Sequence, residues 1–277
     1  MHSLLVMAVT FFHLSTAYIS HLRPLRLPPN MLSTMRNVVS IAQETHPPDD
    51  SEEPLERSSP KRKKLRQHVN PLAAQHQTPV KLADDWVVSS FANPALPFVI
   101  DVGCAKGGWP LQFAQSNPHL NVLGLEIREP CVAYALRRKA YWKVPNVHFL
   151  SLNANVDLNR VFVDIQRISD VDLVTIQFPD PHFKARHKKR RVVNENFVSC
   201  IAEHLSPEKR VFIQSDILEV SEHMVECFSD NPRFLPCEGY DSKAMHVNLN
   251  PTGILTEREI ATLAKPGDVY RMLFKRI

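Results

Sequence analysis

Three of the chain's seven glycines fall within six positions: Gly103, Gly107 and Gly108. A sequence that avoids glycine and then clusters it marks a backbone that turns tightly or lies close to a ligand. Asp101 stands just before the first of them, and Glu126 follows at the distance of the next strand end. An acid there accepts hydrogen bonds from both hydroxyls of a ribose. Asn153 carries an amide that donates and accepts together, which suits an adenine edge. These residues predict an adenosine ligand with a free ribose. The spacing is G-x-x-x-G-G, with Ala105 where a middle glycine would stand, and not the G-x-G-x-x-G that seats a pyrophosphate on a helix start. An acid at 101 also suits a cationic ligand better than a pyrophosphate. The pattern therefore favours S-adenosyl-L-methionine over a nicotinamide dinucleotide.

A second group lies at 178–191, F-P-D-P-H-F-K-A-R-H-K-K-R-R. Pro179 and Pro181 flank Asp180 and restrict the backbone, so its carboxylate is held in place before any substrate arrives. Behind it, 184–191 holds six Lys/Arg and no acid, and 61–66 (KRKKLR) holds five. Such strips attract phosphate. The whole-chain charge of +4 is mild by comparison.

The elements that must position these groups are legible from residue 97 onward. Strand-like runs fall at 98–103, 121–127, 147–152, 171–178, 210–215 and 269–274. Helix-like stretches lie between them at 109–116, 130–143, 157–168, 194–205 and 217–228. Strands at this rhythm with intervening helices predict a doubly wound α/β fold with a mostly parallel sheet. Ligands in such sheets bind outside the carboxyl ends of the strands. There the sequence places Asp101, Glu126, Asn153, Asp180 and Asp216, a polar group at every end. The 44% hydrophobic content suits a folded core, and no apolar run reaches the ~18 residues of a membrane helix. Five scattered cysteines form no C-x-x-C and no H-E-x-x-H occurs, so neither a disulfide framework nor a metal site is expected.

The run at 178–191 resembles the tRNA (guanine-N7-)-methyltransferase family, whose motif reads F-P-D-P-[WH]-x-K-x-R-H-x-K-R-R. Thr256-Glu257-Arg258-Glu259 is similar to that family's T-x-x-E. D-V-G at 101–103, G-L-E-I at 124–127, N-A at 153–154 and S-D at 215–216 fit its adenosine-site signatures, and 61–72 looks like the lead-in of plastid-type relatives. The resemblance spans roughly 61–277. It implies the seven-stranded, Rossmann-like methyltransferase sheet and S-adenosyl-L-methionine as cofactor. The implied substrate is tRNA, methylated at N7 of the variable-loop guanine at tRNA position 46. It implies cofactor contacts at Asp101, Gly103, Glu126, Ile127, Asn153, Ala154 and Gln177. Asp180 becomes the catalytic residue, and Lys184, His187, Asp216, Thr256, Glu257, Arg258 and Glu259 become substrate contacts. Two rival readings remain at this point: an amino-group methyltransferase of RNA or DNA, and a catalytically silent RNA-binding subunit. Position 182 is His where amino-group enzymes carry Pro, and the acids at 101, 126, 180 and 259 are intact, which favours guanine-N7 methylation over both rivals. Monomer, homodimer and accessory-subunit arrangements are all compatible with the sequence.

The amino-terminal region differs in character. Residues 1–43 contain no acid, three Arg and many Ser/Thr, with a short apolar run at 4–12. This composition predicts a targeting presequence, to a plastid in the first instance, with mitochondrial or cytoplasmic placement as the alternatives. Residues 44–60 are acidic and Pro-rich and read as a disordered linker. The methyltransferase domain is expected over 61–277.

Overall fold

The computed structural model describes residues 69–277. The expected presequence (1–43), the linker (44–60) and the first basic cluster (61–66) lie outside the described residues. Seven strands, β1 (Phe98–Val102), β2 (Asn121–Glu126), β3 (Val147–Ser151), β4 (Val171–Gln177), β5 (Arg210–Ser215), β6 (Phe234–Pro236) and β7 (Tyr270–Arg276), form one sheet in the order β3-β2-β1-β4-β5-β7-β6. The first five run parallel. β7 returns antiparallel between β5 and β6. The order reverses between β1 and β4, so the ligand crevice of a doubly wound sheet opens there.

Helices α1 (Trp86–Ser90), α2 (Gly108–Ser116), α3 (Glu129–Trp142), α4 (Ala154–Gln166), α5 (Glu195–His204), α6 (Leu218–Ser229) and α7 (Glu257–Leu263) surround the sheet. β1 and β2 are buried at every position, as parallel strands covered on both faces must be. On one face Ile100, Leu123 and Val174 pack with Leu158, Phe162, Phe197 and Ile201. On the other, Val99, Val122 and Phe149 pack with Trp109, Phe113 and Val132.

All six strand-like runs and all five helix-like stretches have counterparts, that at 210–215 with the same ends and the others with shifted ones. The helix expected from 157 starts at Ala154, because the Asn153 side chain accepts the Asn155 N–H at 3.1 Å and caps it. The last strand runs to Arg276. Three elements were not anticipated. α1 (W-V-V-S-S) is a single turn of β-prone residues, β6 is three residues with a proline at the sheet edge, and α7 has only seven residues. None is long enough to show a periodicity.

The segment before the sheet is strapped along one face of α4. Asn153 Nδ2 donates to the carbonyls of Pro71 (3.2 Å) and His76 (3.0 Å). Asp157 accepts from Val80 N–H at 3.1 Å, and Arg160 donates to the carbonyls of Val80 and Leu82. Asp164 accepts the Trp86 indole N–H at 2.9 Å. These four side chains recur at helical spacing, so one face of α4 holds the strap. Among the described residues no helix is long and apolar enough to cross a membrane, and no group of three or more His, Cys, Asp or Glu gathers as metal ligands.

Asn153→Asp keeps the cap acceptor but removes both donors to the strap. It is expected to lower stability by about 1–3 kcal/mol and to open 71–77 to limited proteolysis. Chemical unfolding and mass mapping of the cleavage sites check this.

Candidate cofactor and substrate site

The turn after β1 is built on left-handed backbone. Gly103 (φ +82°) and Gly107 (φ +73°) bracket it, and a Cβ at Gly107 would stand 2.7 Å from the Phe149 ring. Ala105, at the expected middle-glycine position, also adopts φ +49°, a conformation that costs an L-residue roughly 1–2 kcal/mol. Its N–H donates to Glu126 Oε2 at 3.0 Å, which ties the turn to the end of β2. The Glu126 carboxylate is buried and also accepts from the Arg128 N–H, Nε (3.0 Å) and Nη2 (3.0 Å). Arg128 is held well above the usual guanidinium range, first by these bonds, and the Asp180 charge adds to the effect. Arg128 thus lies in the field of both Glu126 and Asp180.

Asp101 is buried in the middle of the sheet. It accepts Thr175 Oγ1–H at 2.6 Å and Gln177 Nε2–H at 3.1 Å on the neighbouring strand. Burial pushes its carboxyl up to about 6; the two bonds pull the other way, and the nearby Glu126 charge adds to the rise. The polar chain continues outward. Gln214 Nε2 donates to Gln177 Oε1 (2.8 Å) and Glu259 Oε2 (3.1 Å), and Glu259 accepts from Arg271 Nη2 (2.7 Å) and Asn250 Nδ2. It crosses β1, β4, β5 and β7 and ends in α7.

The loop after β4 is strained at both ends. Phe178 (φ +52°) precedes Pro179 and His182 (φ +44°) follows Pro181, both on the wrong side of φ for side-chain-bearing residues. The surroundings hold it there. Phe178 N–H donates to the Gln214 carbonyl at 2.8 Å, and Arg191 Nε donates to the Pro181 carbonyl at 2.9 Å. Arg191 is buried and also pairs with Glu219 at 2.9 Å, where Lys188 joins at 2.8 Å. The cationic run is therefore not uniform. Arg191 is an internal strut, Lys188 pairs with Glu219, and Lys184, Arg186 and Lys189 face solvent. Desolvation, and then Arg190, Arg186 and Lys184, hold His187 below its ordinary value.

The T-x-x-E segment forms the cap and first turn of α7, which gives two of its residues a structural role. Thr256 and Glu259 form a capping box, with Glu259 N–H donating to Thr256 Oγ1 at 3.0 Å. Glu259 is fully buried, and its carboxylate is engaged inside the chain by Arg271, Gln214 and Asn250. Arg258 pairs with Asp216 at 2.6 Å. Glu257 reaches back over the glycine turn, 2.7 Å from where a Cβ of Gly108 would stand. Trp109 Nε1 donates to the Ile254 carbonyl at 3.1 Å and fastens the segment above α2.

Asp101, Gly103, Glu126, Ile127, Asn153, Ala154 and Gln177 thus gather along neighbouring strand ends, as expected, but not all are open to a ligand. The Asn153 side chain, expected at an adenine edge, is engaged within the chain: its oxygen caps α4 and its nitrogen holds the strap. The Gln177 amide is likewise engaged on both atoms. Arg128, Gln214 and Arg271 were missed. The available signal was a polar residue inside an otherwise apolar strand, as Gln214 is within V-F-I-Q-S.

An acid whose folded pKa is raised binds its proton more tightly in the native state. Its contribution is present at low pH and is lost as pH rises through about 6. Asp101→Asn keeps both acceptor bonds but cannot ionise. The stability of wild type relative to this variant is expected to fall by on the order of 2–3 kcal/mol between pH 4 and pH 7. Denaturant unfolding at both pH values measures it.

Comparison with known proteins agrees with this geometry. Residues 95–272 match a family model described as a putative methyltransferase. A tRNA (guanine-N(7)-)-methyltransferase of Trichormus variabilis is 41% identical over 214 residues, 77% of this chain and 96% of the relative. One from Prochlorococcus marinus is 37% identical over 76% of this chain and 97% of its own length. One from Synechocystis is 38% identical over 78% and 98%. Among solved structures, the 16S rRNA methyltransferase KamB aligns with a TM-score of 0.46 at 13% identity, over 71% of this chain and 95% of that one. Matched over nearly the full length of such relatives, the chain belongs to the tRNA (guanine-N7-)-methyltransferase family.

Proposed function

We propose that this chain methylates N7 of a guanine in tRNA, using S-adenosyl-L-methionine, with the variable-loop guanine at position 46 as the target. The carrying observation is the position of Asp180. It is the acid of a strained, proline-flanked loop at the end of β4, beside the switch point, in electrostatic reach of Arg128.

The crevice fits the cofactor. No atom lies within 4 Å of where a Gly103 Cβ would stand, so the space over the turn is open, and two acids, Asp101 and Glu126, end the strands beneath it. Glu126 would hold the ribose hydroxyls in exchange for Arg128 donors, and Asp101 would face the cationic end through its strand neighbours. The backbone at Ile127 and Ala154 would border the adenine. When bound, S-adenosylmethionine supplies a methyl group activated by a sulfonium. Guanine N7 is a lone-pair acceptor without a proton, so this chain needs no general base. Asp180 orients the purine by its N1–H and N2–H edge. Its charge counters the positive charge that develops on the ring, worth roughly 2–4 kcal/mol for a preorganised group. Lys184 and His187 would hold the target nucleotide, and Thr256, Glu257, Arg258 and Asp216 border the far side.

The purified full chain, incubated with tRNA and labelled cofactor, is expected to create a single site that breaks after borohydride and aniline. Asp180→Ala is expected to lose about 10²–10³-fold in turnover with cofactor affinity within about threefold. Near-normal turnover would remove Asp180 from the mechanism. Methyl incorporation without strand breakage would point to an amino target. Activity of the chain alone would dispense with an accessory subunit.

The acid-free, Arg- and Ser/Thr-bearing composition of residues 1–43 supports a plastid address. A fluorescent protein fused behind residues 1–60 is expected in plastids. Mitochondrial or cytoplasmic fluorescence would replace that reading.

A further inference from the structure

Residues 130–156 contain no Asp or Glu and four Lys/Arg: Arg137, Arg138, Lys139 and Lys143. Its first half lies in α3. On this helix Tyr134, Arg137, Arg138 and Tyr141 stand at i, i+3, i+4 and i+7, which is one face. Three cations converge on the Tyr134 ring. Lys106 Nζ lies 5.4 Å from its centroid, Arg137 Cζ 5.6 Å and Arg138 Cζ 5.8 Å. Arg138 is the buried anchor of the group. It donates to the Lys106 carbonyl at 3.2 Å, lies 4.5 Å over the Trp142 ring and stands 4.0 Å from Glu257. Lys139 points elsewhere, to the Ser90 carbonyl. Lys106 and Arg137 are thus the solvent-facing charges, and Tyr141 beside them is 61% exposed.

Cations held on half-buried aromatic faces, with one exposed ring beside them, match the chemistry of a nucleic-acid backbone. Phosphates take the charges and bases or riboses take the rings. An exposed Tyr is ordinary on a surface, and so is a single Lys; a helical face of both, in an acid-free stretch, is a built surface. Its place adds weight. α3 follows β2 and packs toward β3, while the cationic loop at 184–190 follows β4. The glycine turn after β1 lies between them in the sheet order. The two positive surfaces therefore flank the crevice from opposite sides.

We infer that the Tyr134–Arg137–Tyr141 face of α3, together with Lys106, is a second docking surface for tRNA, separate from the loop beside Asp180. This rests on tRNA being the substrate. Lys106 and Arg137 bind phosphates, and Tyr141 lies against an unpaired base or a ribose. The surface contributes to affinity and leaves the chemical step alone.

The test uses the full chain with tRNA in a salt series, reading the tRNA dissociation constant directly, and in parallel KM, kcat and cofactor affinity. Arg137→Gln is expected to weaken tRNA binding about 3–10-fold and to lower the slope of log K against log salt by about 0.7–0.9. Tyr141→Ala is expected to weaken binding similarly with the slope unchanged, and Tyr141→Phe to restore it. kcat at saturating tRNA and cofactor affinity stay at wild-type values. Wild-type affinity and slope in both Arg137→Gln and Tyr141→Ala would overturn the inference even if tRNA is methylated normally. A wild-type chain that binds tRNA in the expected salt-dependent way but methylates no guanine would instead sink the proposed reaction.

Discussion

Everything at the site depends on polar side chains linked to one another in the middle of an apolar sheet. Asp101, Thr175, Gln177, Gln214, Glu259 and Arg271 form one buried chain of hydrogen bonds across four strands. A buried polar group without a partner costs about 1–3 kcal/mol, so each member fixes the register of the next. The chain connects Asp101, on the strand before the glycine turn, to the helix capped by Thr256, 155 residues later in sequence but adjacent in space. It also explains why an acid, Glu259, sits at the bottom of the T-x-x-E segment. It is the counter-charge of Arg271, and breaking one half of such a pair leaves the other charged and buried.

The loop after β4 shows how that stability is used locally. Phe178 and His182 hold left-handed backbone on either side of the Pro179-Asp180-Pro181 triplet. Nothing local favours those angles. The Gln214 carbonyl at one end and the Arg191 guanidinium at the other impose them. Arg191 in turn is fixed by Glu219 on α6, so part of a strip that looks like a uniform phosphate-binding run is scaffolding. The Asp180 backbone is consequently fixed from both sides, the condition under which preorganised electrostatics are most effective.

The sheet, its helices and the strand-end acids were legible because the signals are periodic or positional. Period-two and period-3.6 patterns mark the long elements, and a doubly wound sheet places ligands at strand ends. What was not legible is which atoms of a side chain remain available. Asn153 has the chemistry of an adenine reader, but a segment about 80 residues earlier in the chain takes its amide nitrogen. Glu259 has the chemistry of a substrate acid, but an Arg on β7 takes its carboxylate. Such assignments depend on contacts between distant parts of the chain, which spacing alone does not encode. Ala105 belongs to the same class: a Cβ sits where glycine is expected, and the turn still adopts its positive φ because Glu126 grips the N–H.

The strap along α4 sets a limit on truncation. Pro71 and His76 lend their carbonyls to Asn153, and Val80 gives its N–H to Asp157. A shortened chain that keeps these bonds must therefore retain Pro71. Any cut further in would orphan the amide at the head of α4 and loosen the helix that follows β3.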